Sequence, residues 1–198
     1  MAFGGREMIP FPDKKYQVIY ADPPWEYGSW GKPSKMSQAS KGVQDIVIPM
    51  PYPTMSVDEI CRMPVSLLAD TNCELYLWTT QKYLKDAFKV IDSWMFKYCQ
   101  TITWCKKPRG LGQGGVYCPT TEFLLLARKG KMPKARRIDS TWFLTKRPVN
   151  HSKKPDFFRE LIETVTNEPR IELFARQETD GWDVWGNEVN LPHPGGKG

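Results

Sequence analysis

The sequence predicts an α/β fold, a mostly parallel sheet with flanking helices. Three observations predict it. Short apolar runs, such as residues 15–21, 74–79, 98–105, 122–128 and 170–175, read as strands. Two stretches between them carry apolar residues at helical spacing. The two kinds of segment alternate along the chain, which is the pattern of strands joined by crossover helices. With 198 residues, 40% of them hydrophobic, the chain suits one domain with a substantial core. No internal repeat or change of composition marks a second domain.

The elements follow in order. Residues 15–21 form a short strand that stops at Asp22-Pro23-Pro24-Trp25. Residues 27–53 are rich in Gly, Ser, Lys and Pro and lack a period, so they read as a long functional connection. Ser56 and Glu59 fit the two ends of a capping box, and a short helix interrupted near Pro64 should follow. After the strand at 74–79, Leu84, Ala87, Phe88, Ile91, Trp94 and Met95 fall on one helical face. Residues 98–105 and 122–128 read as strands, separated by the basic, Gly-rich loop 106–117. The basic stretch that follows reads as irregular. A helix begins near Pro155, with Phe157, Phe158, Leu161, Ile162 and Val165 as its apolar side. Residues 170–175 read as a last buried strand.

Charge is distributed unevenly. Net charge is +6, and residues 128–154 hold ten Lys or Arg against a single acid, Asp139. Lys106, Lys107 and Arg109 form a smaller cluster just upstream. Such stretches suit a solvated face or a polyanion. Five cysteines without C-x-x-C spacing, and His151 and His193 far from them in metal-ligand terms, predict reduced, mostly buried thiols in a cytoplasmic protein and no metal site. No run resembles a signal peptide or is long enough to span a membrane, so no membrane partner is expected. Six tryptophans, Trp78, Trp94, Trp104, Trp142, Trp182 and Trp185, read as core.

The tetrapeptide carries chemistry. Ligands of open α/β sheets bind beyond the carboxyl ends of strands, where Asp22 lies. Two prolines fix φ and remove two N–H donors. The Asp22 carboxylate and the Pro23 carbonyl thus become two fixed acceptors with no nearby backbone donor, and Trp25 offers a flat face for a base. An exocyclic amine brings two hydrogens to such a pair. Gripping both directs the nitrogen lone pair toward an electrophile and stabilises the positive charge that develops there. Adenine N6, cytosine N4 and a free nucleotide all satisfy this. By itself the motif also fits a strand-terminating turn.

Seven segments, "VIYADPPWEY", "YPTMSVDEICRMP", "ELYLWTT", "TITWCKK", "TEFLLLARKG", "HSKKPDFFRELIE" and "IELFARQETDGWDVWGNE", occur here in one order. The series resembles the DPPW-type adenine-N6 methyltransferases, a family that includes the catalytic subunit of the mRNA adenosine methyltransferase and bacterial and phage relatives. The resemblance implies a Rossmann-like, S-adenosylmethionine-dependent methyltransferase fold with permuted motif order. It implies one domain over 1–198, with its core at about 16–189 and short flexible termini. Asp22, Pro23, Pro24 and Trp25 match the catalytic tetrapeptide. Asp22, Lys154, Glu172, Phe174, Arg176, Asn187 and Glu188 match positions around S-adenosylmethionine: Lys154 for its carboxylate, Glu172 and Arg176 near its ribose, Asn187 and Glu188 near its adenine. Tyr27, Tyr52, Lys106 and Glu122 match the substrate side. Gln177, Glu178 and Thr179 stand where some relatives carry a histidine-asparagine pair.

The expected activity is methyl transfer to adenine N6 in nucleic acid, with DNA favoured and RNA as the alternative. Inactive relatives act as partner scaffolds, so a non-catalytic nucleic-acid-binding scaffold of the same fold is the reading from another class. The nucleic acid should lie along the basic clusters. No appended RNA-targeting module is expected. A homo- or heterodimer is compatible with the sequence.

Overall fold

The computed structural model describes residues 2–3, 6–7, 9–26, 54–107, 116–131, 136–148 and 153–186. Near the N-terminus, β1 (Ala2–Phe3) and β2 (Arg6–Glu7) form a separate antiparallel ribbon. The rest is built on a seven-stranded sheet of order β7-β5-β6-β4-β3-β8-β9.

Strand β3 (Tyr16–Ala21) lies inside the sheet, parallel to β4 (Ala69–Thr79) on one side and β8 (Arg170–Leu173) on the other. It is buried on both faces, which explains a nearly continuous apolar run. Ile19 and Ala21 enter the core under the first two helices, while Val18 and Tyr20 enter the second core under the last helix. Strand β4 carries the same division: Leu75 and Leu77 face one core, Tyr76 and Trp78 the other. It begins five residues before the expected start. Asp70, Thr71 and Asn72 are polar and reach solvent, which hides that part of the strand from a hydropathy reading.

Helix α1 (Val57–Arg62) starts at the expected capping box. The Glu59 N–H donates to Ser56 Oγ at 3.3 Å, and the Ser56 N–H donates to Glu59 Oε2 at 2.8 Å. These bonds to the Ser56 backbone and hydroxyl hold the Glu59 carboxyl below its usual range. Met63 is extended, as a residue before proline should be, and Pro64 ends the helix before a 3-10 turn over Val65–Leu67.

Helix α2 (Leu84–Ser93) buries Ala87, Val90 and Ile91. The periodicity is corrected at its end. Met95 adopts φ 65 and is 70% exposed, so it leaves the apolar face, and Val90 belongs to that face instead. The stop is a Schellman motif: the Phe96 N–H donates to the Ile91 carbonyl and the Met95 N–H to the Asp92 carbonyl, each at 3.0 Å.

Strands β5 (Lys97–Lys107) and β6 (Thr121–Lys129) pair antiparallel, and β6 is also antiparallel to β4. The basic stretch is not wholly irregular. It contains β7 (Trp142–Lys146), which adds to the sheet edge parallel to β5. Helix α3 (Asp156–Val165), with Pro155 as N-cap, packs Phe158 and Ile162 into the second core. Strand β8 is not the last: β9 (Asp183–Trp185) follows, parallel to it. Six strands of the sheet therefore run one way and β6 alone opposes them.

Trp78 and Trp94 are fully enclosed. Each removes about 200 Å² from water, worth about 5 kcal/mol before entropy is counted. Trp142 departs from the expectation of core, being 62% exposed on the edge strand. All five cysteines are free, but only Cys73 is buried. Cys61 of α1 and Cys105 of β5 are half-buried, and Cys99 and Cys118 are exposed. Among the described residues, no helix is long and apolar enough to cross a membrane, and no cluster of metal-ligating side chains occurs.

Candidate active site

The sheet's directions decide which residues meet. The carboxyl ends of β3, β4, β5, β7, β8 and β9 share one edge. Reversed β6 presents its first residues there. Asp22 after β3, Lys106 near the end of β5 and Glu122 near the start of β6 consequently share that edge, and Lys154 joins them from just before α3.

Lys154 Nζ lies 2.8 Å from Asp22 Oδ2 and 3.4 Å from Glu122 Oε2. Lys106 Nζ lies 2.5 Å from Glu122 Oε1. Lys154 also sits over the Trp78 ring at 5.5 Å, and Lys106 over Trp104 at 5.2 Å. The result is an alternating row of carboxylates and ammoniums, with Asp22 the most open member at 24%. Burial pushes the Asp22 carboxyl above its usual value, against the charge and hydrogen bond of Lys154. Burial also pushes Glu122 up, but Lys154 and Lys106 together outweigh it and hold that carboxyl low. Glu122 Oε2 is buried, with the Lys154 ammonium 3.4 Å away and no well-aligned donor on it.

The tetrapeptide is rigid, for reasons that correct two expectations. The Pro23 carbonyl does have a backbone donor: the Trp25 N–H reaches it at 2.8 Å, closing a tight turn centred on Pro24. One of its two lone pairs remains for a ligand. The Pro24 carbonyl accepts the Met55 N–H at 2.8 Å. Trp25 is not a stacking face. Only 3% of it is exposed, its ring stacks on Tyr83 at 5.1 Å, and its indole N–H donates to the Trp78 carbonyl at 3.2 Å.

Beyond β3 lies a second group. Glu172 faces α3, where Arg159 donates to its Oε2 from Nε at 3.1 Å and from Nη2 at 2.8 Å. Arg159 Nη1 also reaches Asp156 Oδ1 at 2.9 Å, and its guanidinium lies over the Tyr20 ring. Burial raises the Glu172 carboxyl against the pull of Arg159. Glu172 Oε1 has no hydrogen-bond partner among the described residues. The sequence reading missed Arg159. Its signal was an acid and a base three apart in the first turn of a helix, Asp156 and Arg159.

Phe174 ends β8 with φ 62 and sets its ring edge-on to Trp185 at 5.8 Å. Ala175 then donates to the Trp185 carbonyl at 3.0 Å, and a Cβ on Gly186 would fall 2.3 Å from the Ala175 carbonyl oxygen. The ends of β8 and β9 thus approach so closely that only glycine fits. Arg176 follows, half-buried, and its charge draws the Asp22 carboxyl down. The structure brings together Asp22, Lys154, Lys106 and Glu122, with Glu172 and Arg176 bearing electrostatically on Asp22 or its neighbours. Tyr27, Tyr52, Asn187 and Glu188 lie outside the described residues.

The residues present fit a sulfonium methyl donor with an amino-acid tail and a ribose. A lysine is available to a carboxylate and an unshared carboxylate oxygen to a diol, while the orphaned Glu122 oxygen faces the same edge.

Comparison with known proteins agrees with this geometry. The MT-A70 family profile matches residues 16–188. The chain is 33% identical to the type II methyltransferase M.MunI of Mycoplasma sp, over 96% of this chain and 87% of that protein. It is 28% identical to the human N(6)-adenine-specific methyltransferase METTL4, over 89% of this chain and 38% of that protein. It is 25% identical to the human N(6)-adenosine-methyltransferase catalytic subunit METTL3, over 90% of this chain and 29% of that protein. The chain thus spans most of the bacterial relative and less than two fifths of these two human ones. With the family's segments on one mostly parallel α/β sheet, the chain belongs to the MT-A70 family of methyltransferases.

Proposed function

We propose that the chain transfers a methyl group from S-adenosylmethionine to N6 of adenine in nucleic acid, with DNA the favoured polymer. The observation that carries the reading is Asp22, held at the end of β3 by two prolines with one carboxylate oxygen on Lys154. Kinship along nearly its full length to a bacterial type II methyltransferase supports DNA.

S-adenosylmethionine, when bound, supplies the electrophilic methyl. Lys154 is the residue for its carboxylate, since an ammonium can serve several acceptors at once. Glu172 is the residue for its ribose diol, through the oxygen that Arg159 leaves open. Asp22 and the free lone pair of the Pro23 carbonyl accept the two N6 hydrogens. This turns the nitrogen lone pair out of conjugation and toward the donor side. As N6 becomes positive, the Asp22 carboxylate stabilises it, and the surplus proton leaves after attack. Lys154 opposes the burial that favours a protonated Asp22. A target inside a duplex must first be extruded, at about a few kcal/mol.

The test is tritium transfer from labelled donor, followed by nucleoside mass spectrometry of DNA and RNA from expressing cells. Asp22→Ala should abolish transfer while its circular dichroism stays that of the parent. Full activity in that variant ends the proposal, and N6-methyladenine confined to RNA overturns the choice of DNA.

A further inference from the structure

Strand β7 is the edge of the sheet, and its side chains alternate. Phe143 packs against Phe157 and Phe158 of α3, at 5.2 and 6.0 Å between rings. Trp142, Leu144 and Lys146 must then point to the opposite face. Trp142 and Leu144 are 62% and 56% exposed there. The register pairs Trp142 with Thr103, Leu144 with Cys105 and Lys146 with Lys107, so the two lysines stand side by side on that same face. Arg147 follows directly, its N–H on the Lys107 carbonyl. Lys107, Lys146 and Arg147 are exposed, and among the described residues none of them enters an ion pair.

Like charges directly opposite on neighbouring strands are destabilising, and a large exposed indole beside them adds an apolar liability. A polyanion carrying aromatic bases reverses both signs. A second copy of the chain would bring the same cations against these, so charge argues against self-pairing on this face. The position suits a flank of the substrate. β7 lies four strand spacings from β3, about 19 Å, and the lysines sit at the same carboxyl end of the sheet as Asp22, on the face away from α3. In duplex DNA that span is about six base steps.

We propose that this β5–β7 face binds the nucleic-acid strand flanking the target adenine, with Trp142 stacked on an unpaired base and Lys107 and Lys146 on its phosphates. The proposal rests on the nucleic-acid reading above and adds a binding surface remote from Asp22.

The experiment measures the anisotropy of a fluorescein-labelled single-stranded oligonucleotide bearing one central adenine, so that it needs no turnover. Trp142→Ala should raise the dissociation constant about 5- to 100-fold, and Trp142→Phe should recover most of it. Replacing Lys107 and Lys146 by Ala should make the salt dependence of log Kd shallower by about one for each phosphate no longer neutralised. In methyl transfer, Trp142→Ala should raise KM for the polymer and leave kcat at saturation unchanged. A dissociation constant within twofold of the parent in Trp142→Ala overturns the proposal. So does a change from dimer to monomer in sedimentation without weaker oligonucleotide binding, which would make the face an interface between copies. Methylation that persists beside unchanged binding leaves the function standing and removes only this surface. Weakened binding in Trp142→Ala beside a parent chain that methylates neither DNA nor RNA would do the reverse.

Discussion

Replacing Arg159 by Met removes two donors from one oxygen of Glu172 and leaves that largely buried carboxylate without its counter-charge. The Arg159 and Glu172 side chains are 11% and 15% exposed, so water does little to compensate. Breaking a buried pair from one side costs about 3–5 kcal/mol, and the residual exposure places this pair at about 3. At about 2–4 °C per kcal/mol for a domain of this size, the midpoint should fall by about 6–12 °C. Met keeps an apolar stem but not the guanidinium over Tyr20 or its bond to Asp156, and Asp156 is half-exposed, so most of the loss reports the charge of Glu172. Adding Glu172→Gln removes the stranded charge, and the double variant should recover to within about 1 kcal/mol of the parent. The sign of the pH dependence follows from the direction of the Glu172 shift. Its native carboxyl is already above the unfolded value, so the folded state binds the proton more tightly. Losing Arg159 raises it further. The deficit of Arg159→Met should therefore be full above the raised native value and shrink as pH falls through it. Urea melts followed by far-UV circular dichroism at several pH values measure the loss, its recovery and its pH dependence, and a thermal melt measures the midpoint. A single variant within 1 kcal/mol of the parent, or a double variant no better than the single, refutes the reasoning.

Lys154→Met withdraws the cation that opposes the burial of Asp22, so the acid limb of kcat against pH should move to higher pH, measured at saturating donor; an unmoved limb removes Lys154 from the control of Asp22. Met95→Gly relieves a left-handed residue at the end of α2 without touching the core, and should gain about 1 kcal/mol, or about 2–4 °C in a thermal melt. A lower midpoint in that variant would mean that the side chain's packing is worth more than the strain.

What was legible in the sequence was local. The run ending at Ala21 and the capping box at Ser56 announce their elements, because a period or a cap is written in consecutive residues. So does the apolar side of α3. Strand β7 was hidden because only Phe143 and Thr145 of its five residues are drawn in, within a cationic stretch. Met95 continues the helical period perfectly, yet the Schellman turn rotates it out, and spacing does not encode φ. Trp25 and Trp142 exchanged roles for a tertiary reason. One stacks on Tyr83 and donates to the Trp78 carbonyl, while the other sits on an edge that nothing described covers. The site was legible in its acid and prolines, and its partners were not. That Lys154 reaches Asp22, or that Arg159 reaches Glu172, depends on how α3 crosses the sheet.

The reversed strand has a consequence for how such a protein can change. Because β5 and β6 are locked together through Cys105 and Thr121, right at the mouth, the hairpin between them departs from and returns to fixed posts. Segments of different length or composition can be grafted there while Lys106 and Glu122 stay in place. A lineage, or an engineer, could vary that connection and leave the Lys106–Glu122 pair beneath it untouched.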